Sequence, residues 1–356
     1  MRALLVSNRF NPGHLSHLEG NAKMLENNGF VVYFKVHPKF IIFSDVIEKC
    51  QKKNKTLNWM LLRKRDLFIV WFPSISAVIN LLFVKLFTRA TSVYVYHEPY
   101  TSFSSYRAAG FSWLKALRVT AISWVSRVIC SLSDKIILPS ARAFDAIPKA
   151  KIESHRYAKI NLIFADETGP QTQGLKREFV SYIGTIAEDH AFDEFVRLMR
   201  ACIAGQTLQP LRFLVATRSN VPERHRAVID QCVSSGRLVL HSGSPMSNEQ
   251  INLFYAQSFV IWNAYRRSMQ SGVLPKAYMF GTPVLVSTNN KSEYFQDKVH
   301  GVLISNRYTV QEFQQAIVRL HNEWPVISQN CRNYYLNNFD YRALSSTFLN
   351  FVLDDK

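Results

Sequence analysis

The clearest chemical pattern in the chain runs from Ser268 to Val286, SMQSGVLPKAYMFGTPVLV. A polar loop leads into a short helix expected to open on Ser271-Gly272-Val273. A helix start made of small residues leaves backbone N–H groups free and directs the positive end of its dipole outward, which suits a phosphate. Gln270, just ahead, carries an amide that can hydrogen-bond a ligand hydroxyl. The Gly281-Thr282-Pro283 turn then feeds an apolar strand, as a doubly wound α/β domain does behind such a site. Two more loops should lie at carboxyl ends of strands, where open α/β sheets bind ligands. The loop Asn8-Arg9-Phe10-Asn11-Pro12-Gly13-His14 follows the first strand, and is either a binding loop or a plain strand-to-helix turn. Tyr96-His97-Glu98-Pro99-Tyr100 ends a β-branched strand with two ionisable side chains, which packing alone explains poorly.

These motifs resemble the GT-B glycosyltransferases, family 4 in particular, whose pattern in the Ser268–Val286 region is E-x7-E-A-M-A-x-G-x-P-V. Ala277, Gly281, Pro283 and Val284 match it, while Ser268 and Lys276 stand where the two glutamates belong. The resemblance implies that Ser271, Gly272 and Val273 hold the donor diphosphate, and that the loop with Gly13 and His14 approaches the diphosphate or the acceptor. It implies that His97 touches the transferred sugar. Glu98 would orient His97, bind a sugar hydroxyl, act as a general base, or remain a capping or surface carboxylate. Ser181-Tyr182-Ile183-Gly184-Thr185 is similar to the family's Y-x-G-x strand and loop, which makes Gly184 and Thr185 donor-binding candidates. The arginine and lysine that usually follow are replaced by Ala187-Glu188-Asp189-His190. Arg218, Arg266 and Arg267 are candidates to supply those cations, against the alternative of solvated surface arginines. Lys276 occupies the place of the carboxylate that holds the ribose, and an ammonium accepts no hydrogen bond. It must pair with a phosphate, point away, or hold another carboxylate such as Glu293, which follows the Asn289-Asn290 loop.

The elements that must position these residues alternate short apolar runs with amphipathic ones, the signature of α/β sheets. Strands are expected at Ala3–Ser7, Val31–Val36, Leu67–Trp71, Ser92–His97 and Lys135–Leu138, with helices at Ser16–Asn28, Ile75–Phe87 and Phe111–Leu132. The polar stretch from Asp166 to Gly174 reads as a linker. Strands resume at Phe179–Ile183, Arg212–Ala216, Leu238–His241, Val260–Asn263, Pro283–Ser287 and Val302–Ile304. The expected fold is therefore α/β: two Rossmann-like doubly wound domains facing across a cleft, residues 1–168 for the acceptor and 175–334 for the nucleotide sugar. One helix from Tyr335 to Leu353, within residues 335–356, would cross back to the first domain, as is common in the family.

A chain of 356 residues with 47% hydrophobic content and mean hydropathy of −0.06 is long enough for two globular domains. The uncharged run Leu67–Val84 is broken by Pro73, Ser74, Ser76 and Asn80, and reads better as a buried strand-turn-helix crossover than as a membrane span. Five scattered cysteines with no C-x-x-C pair argue against a disulfide framework or a zinc site, and suit a reducing cytoplasm. Met1-Arg2 leads straight into an apolar strand, so no signal peptide is expected.

The formal charge of +17 is uneven: through Thr172 there are 24 basic residues against 11 acidic, and beyond it 19 against 15. Nucleic-acid motifs are absent from the sequence, which turns attention to an anionic membrane or a phosphorylated substrate. From Pro99 to Ser133 no residue is acidic, while Arg107, Lys115, Arg118 and Arg127 share the segment with Trp113, Leu114, Leu117, Trp124 and Val128. Such a helix either rests on an anionic bilayer or turns its apolar face to the core.

The expected activity is transfer of a sugar from a nucleotide diphosphate donor to a lipid-linked saccharide, in bacterial surface polysaccharide synthesis at the inner face of the cell membrane. No cofactor and no metal are expected, since GT-B enzymes neutralise the leaving diphosphate with helix dipole and cations. Retention of anomeric configuration is the family's habit. The competing classes are a binding protein that kept the fold and lost turnover, and an epimerase or hydrolase of the same architecture.

Overall fold

The computed structural model of the chain describes residues 1–8, 10, 12–53, 62–96, 102–108, 110–145, 147, 155–206, 211–266 and 272–354. The chain forms two compact units, one of Met1–Asp166 with Asn337–Lys356, the other of Glu167–Leu336.

The first unit is built on six parallel strands: β1 (Arg2–Ser7), β2 (Val31–Val36), β3 (Leu67–Val70), β4 (Thr91–Val95), β5 (Lys135–Leu138) and β6 (Tyr157–Lys159). Their order is β2-β1-β3-β4-β5-β6. β1, β3, β4 and β5 are near-continuous apolar runs because helices cover both faces of a parallel sheet. Only β6 was not anticipated; three residues carry no readable period. The second unit repeats the design with β7 (Phe179–Ile183), β8 (Arg212–Ala216), β9 (Leu238–His241), β10 (Ser258–Asn263), β11 (Val284–Ser287) and β12 (Gly301–Ile304), ordered β12-β11-β10-β7-β8-β9 and all parallel.

Two expectations need correction. The expected single helix from Tyr335 to Leu353 is two helices, Val310–Asn338 and Tyr341–Leu353. Between them the Phe339 carbonyl accepts from the Phe164 amide and the Tyr341 amide donates to the Phe164 carbonyl, both at 2.9 Å. Backbone groups spent on that bridge cannot continue a helix, and the Asp340 carboxylate caps the new one through the Arg342 amide at 2.8 Å. The polar stretch from Asp166 to Gly174 holds the division between the two units, which falls between Asp166 and Glu167. Glu167 begins the second unit and is tied into its interior. The second correction concerns the crossover helix Ile75–Phe87, capped by Ser74: it buries Ala77, Leu81 and Val84, packs Val78 partly against the core, and leaves Ile75, Ile79, Leu82, Phe83, Leu86 and Phe87 exposed.

The second unit also contains a buried histidine with a consequence for pH. His300 lies between the rings of Tyr278 and Tyr334, at 5.1 and 4.5 Å, and its Nδ1 accepts from the Gln296 amide. Burial pushes its pKa down to about 4, because the imidazolium would lose its water. A depressed folded-state value means the unfolded chain takes up the proton first. Stability from this group is therefore complete above the unfolded value near pH 6.5 and is lost as pH falls through the folded one. Urea unfolding of the full chain should show the second unit weakened by roughly 2 kcal/mol between pH 7 and pH 5. His300→Gln should flatten that limb, and an unchanged acid limb in this variant would refute the assignment.

Candidate functional site

In each unit the strand order reverses beside its first strand, and open α/β sheets bind ligands at that switch point. In the first unit the reversal lies between β1 and β3. His14 ends the short turn Pro12–His14 at the start of the Leu15–Asn27 helix, and is buried with its ring 5.6 Å from Phe72, just beyond β3. Asn8 follows β1, and its Nδ2 donates to Ser76 Oγ at 2.7 Å at the start of the Ile75–Phe87 helix. The loop with Gly13, which is exposed, is thus held at the crevice that the topology creates. β4 runs to Val95 and Tyr96 is buried beyond it, so the chain enters the His97-Glu98 segment from the same sheet edge. His97 and Glu98 lie outside the described residues.

In the second unit the reversal lies between β7 and β10. Gly184 and Thr185 leave β7 there: the Gly184 amide donates to the Ala216 carbonyl at 3.0 Å, and the Ile186 amide to Ser219 Oγ at 3.1 Å. The Thr185 carbonyl accepts from Tyr182 Oη at 2.9 Å and from His190 Nδ1 at 2.7 Å. A carbonyl only accepts, so the His190 proton must sit on Nδ1. The His190 ring stacks on Tyr265, 4.6 Å away, which joins the loop after β7 to the end of β10. Arg218 is exposed just after β8, beside the turn tied by the Ser219 amide to Thr217 Oγ1.

Arg266 follows β10, but its guanidinium is engaged within the unit. Nη2 bonds the Asp193 carboxylate and Nη1 donates to the Glu188 carbonyl at 2.9 Å. The Glu188-Asp189 segment after Thr185 thus meets Arg266 through its backbone carbonyls, while the carboxylate on the guanidinium is that of Asp193. Arg267, Gln270 and Ser271 lie outside the described residues. Gly272 is the N-cap of a helix running Val273–Met279. Gly281 takes φ +61°, and an added Cβ would stand 2.8 Å from Ser328 Oγ, so the turn into β11 needs glycine.

Lys276 takes the third of its expected alternatives, with a different carboxylate. Its Nζ is 2.9 Å from Glu167 Oε2 and 2.6 Å from Asn248 Oδ1, with side-chain exposures of 8% for the lysine and 10% for the glutamate. Glu167 Oε2 also accepts from Asn248 Nδ2 at 2.6 Å and Asn252 Nδ2 at 2.9 Å. Glu293, the partner suggested from the sequence, is exposed instead and adjoins the buried Tyr294 phenol, whose pKa burial and that carboxylate both raise.

Two residues that sequence reasoning missed fix the other end of the Val273–Met279 helix. Arg177 Nη2 donates to the Phe280 carbonyl at 2.6 Å, and Arg332 Nη1 to the Met279 carbonyl at 2.6 Å. Both line a cavity of about 350 Å³ with Met279, Phe280, Gly281 and Ser328. Burial lowers the Arg177 pKa to about 10, still charged at neutral pH. Cations at a helix C-terminus offset the dipole's negative end. No local spacing marks either arginine, since each acts about 50 to 100 residues away in sequence. Among the described residues no group of three or more His, Cys, Asp or Glu is arranged to hold a metal ion.

Residues 177–323, which span β7 to β12, match the family described as Glycosyl transferases group 1. No curated protein matches the chain. Solved structures of GT-B glycosyltransferases share its fold over nearly the full length. HepE from Anabaena, crystallised with UDP and glucose, is 14% identical, with 98% of each chain covered and a TM-score of 0.62. Sucrose-phosphate synthase from Thermosynechococcus elongatus is 12% identical, covering 98% of this chain and 97% of the other at 0.63. WaaG, a glycosyltransferase involved in lipopolysaccharide biosynthesis, is 11% identical, with 99% of each chain covered at 0.57.

Proposed function

We propose, from the premise that this chain is a glycosyltransferase of the GT-B type that uses nucleotide-sugar donors, that it builds bacterial surface polysaccharide on a lipid-linked acceptor. The observation that carries the donor side is the group 1 match over 177–323, which contains both the β7/β10 switch point and the Gly272 helix start. In the reaction, an acceptor hydroxyl oxygen bonds the anomeric carbon as the bond to the β-phosphate oxygen breaks. The hydroxyl proton is lost and the nucleoside diphosphate departs with the electron pair. Backbone N–H groups at the helix start would receive the diphosphate, with Arg218 as the cation that this reading assigns. Arg266, bound to Asp193, is assigned the lesser part of holding the loop Glu188–His190. His97 would contact the transferred sugar, and Glu98 would serve the acceptor. The proposed outcome is retention, without metal.

HepE was crystallised with UDP and glucose, which places uridine donors first among those to try. The acceptor class is supported by the basic, tryptophan-bearing Trp113–Leu132 helix, which suits an enzyme working at the inner face of an anionic membrane. Thermal unfolding with UDP, GDP, dTDP, ADP and CMP, without added metal, tests the donor site. One nucleoside diphosphate should raise stability by about 2.7 kcal/mol at a hundredfold excess over Kd. Gly272→Asp should abolish that gain while leaving the fold intact, because aspartate is a good N-cap but repels a diphosphate. Absence of stabilisation by all five at millimolar concentration would remove the donor assignment.

A further inference from the structure

The helices Ile75–Phe87 and Trp113–Leu132 pack against each other in the first unit, with Ala77, Leu81 and Val84 meeting Ile129 in the core. Opposite that buried stripe, the first helix shows Ile75, Ile79, Leu82, Phe83 and Leu86 to solvent, the last at 73% exposure. Steps of four, three, one and three residues put all five on one face. A helix with large apolar residues on two opposite faces calls for a core or lipid against each, and here only one face has a core. The second helix adds Trp113, Leu114, Leu117, Trp124 and Val128, with Leu114 also at 73%. Two adjoining helices thus expose a continuous series of large apolar side chains, more than a monomeric soluble domain ordinarily tolerates.

Charge decides the occupant. The first helix has one charged residue, Lys85, whose Nζ donates to the Leu132 carbonyl and lies 3.7 Å from Asp134. Every charged residue of the second, Lys115, Arg118 and Arg127, is basic and exposed. The Arg127 guanidinium stands 4.9 Å from the Trp124 ring, a cation beside an amphipathic aromatic as at a membrane–water boundary. None of the described helices is long and apolar enough to cross a bilayer. We infer that these two helices together form a docking face that lies in the interface of an anionic bilayer, the first helix supplying the apolar insertion and the second both aromatics and charge. The inference rests on the lipid-linked acceptor proposed above and says how the enzyme would reach it.

The full chain is mixed with vesicles of phosphatidylcholine, with and without phosphatidylglycerol, containing neither donor nor saccharide. It should sediment with the anionic vesicles, and lipids brominated on their acyl chains should quench its fluorescence. Trp113→Phe/Trp124→Phe should remove most of that quenching. Leu86→Glu/Leu117→Glu, at exposed positions, should keep the thermal midpoint yet weaken partition by roughly tenfold or more. Lys115→Gln/Arg118→Gln should weaken binding and reduce its salt dependence. Partition that is absent, or indifferent to the glutamate pair, overturns the proposal. So does a dimer in sedimentation velocity that the glutamate pair dissolves without any vesicle binding, since the face would then belong to a second copy. Transfer to a detergent-solubilised acceptor should survive the glutamate pair. Loss of all transfer with vesicle binding intact would instead defeat the proposed activity.

Discussion

Replacing Lys276 with methionine is expected to destabilise the second unit by about 3–5 kcal/mol, the usual cost of breaking a buried ion pair from one side. The Glu167 carboxylate would keep its hydrogen bonds from Asn248 and Asn252 but lose the cation 2.9 Å away. The Asn248 Oδ1 that now accepts from the ammonium at 2.6 Å would lose that donor as well. Glu167→Gln on the same background should recover most of the loss, because a neutral amide does not need the ammonium. Lys276→Glu, although it writes the family's residue back into the motif, should be worse than methionine, since it sets two carboxylates against each other. Urea unfolding of the three variants measures all of this. Equal stabilities would show that the pair is solvated and energetically idle. With its ammonium buried against Glu167, Lys276 offers no hydrogen-bond acceptor at this position.

Gly301→Ala should prevent the second unit from folding with its native sheet edge, or weaken it by more than about 4 kcal/mol, a size that needs a named mechanism. The mechanism is a close approach. Gly301 has φ +151°, and an ideal Cβ there would stand 1.9 Å from the Val284 carbonyl oxygen on the neighbouring strand. That oxygen is backbone, so relief requires β12 to move away from β11. Their register, Val284 opposite Gly301 through Ser287 opposite Ile304, would be lost together. Gly243 offers the contrast: its Cβ would meet only the Asn220 side chain, which can swing aside, although its φ of +84° still strains an alanine. Circular dichroism and thermal midpoints should place Gly301→Ala far below Gly243→Ala. Near-equal midpoints would mean that the β11–β12 edge yields easily.

What the amino-acid sequence determined by itself was local. Apolar runs of four to six residues, turn residues and helix periods depend on neighbours within a few positions, and nearly every expected strand is present within two residues of its expected bounds. The G-x-P turn into β11 and the helix opening at Gly272 were legible for the same reason, and with them the GT-B fold. Tertiary structure alone decided whatever depends on distant partners or on which face of an element meets solvent. No spacing rule joins Glu167 to Lys276, 109 residues on, or Arg177 to the carbonyl of Phe280, 103 residues on. No local signal tells that Arg266 is claimed by Asp193. The Ile75–Phe87 helix shows the limit most plainly, because large apolar residues on two opposite faces do not mark which face is outside. Packing against Ile129 buried one stripe of it, and the other was left to the solvent.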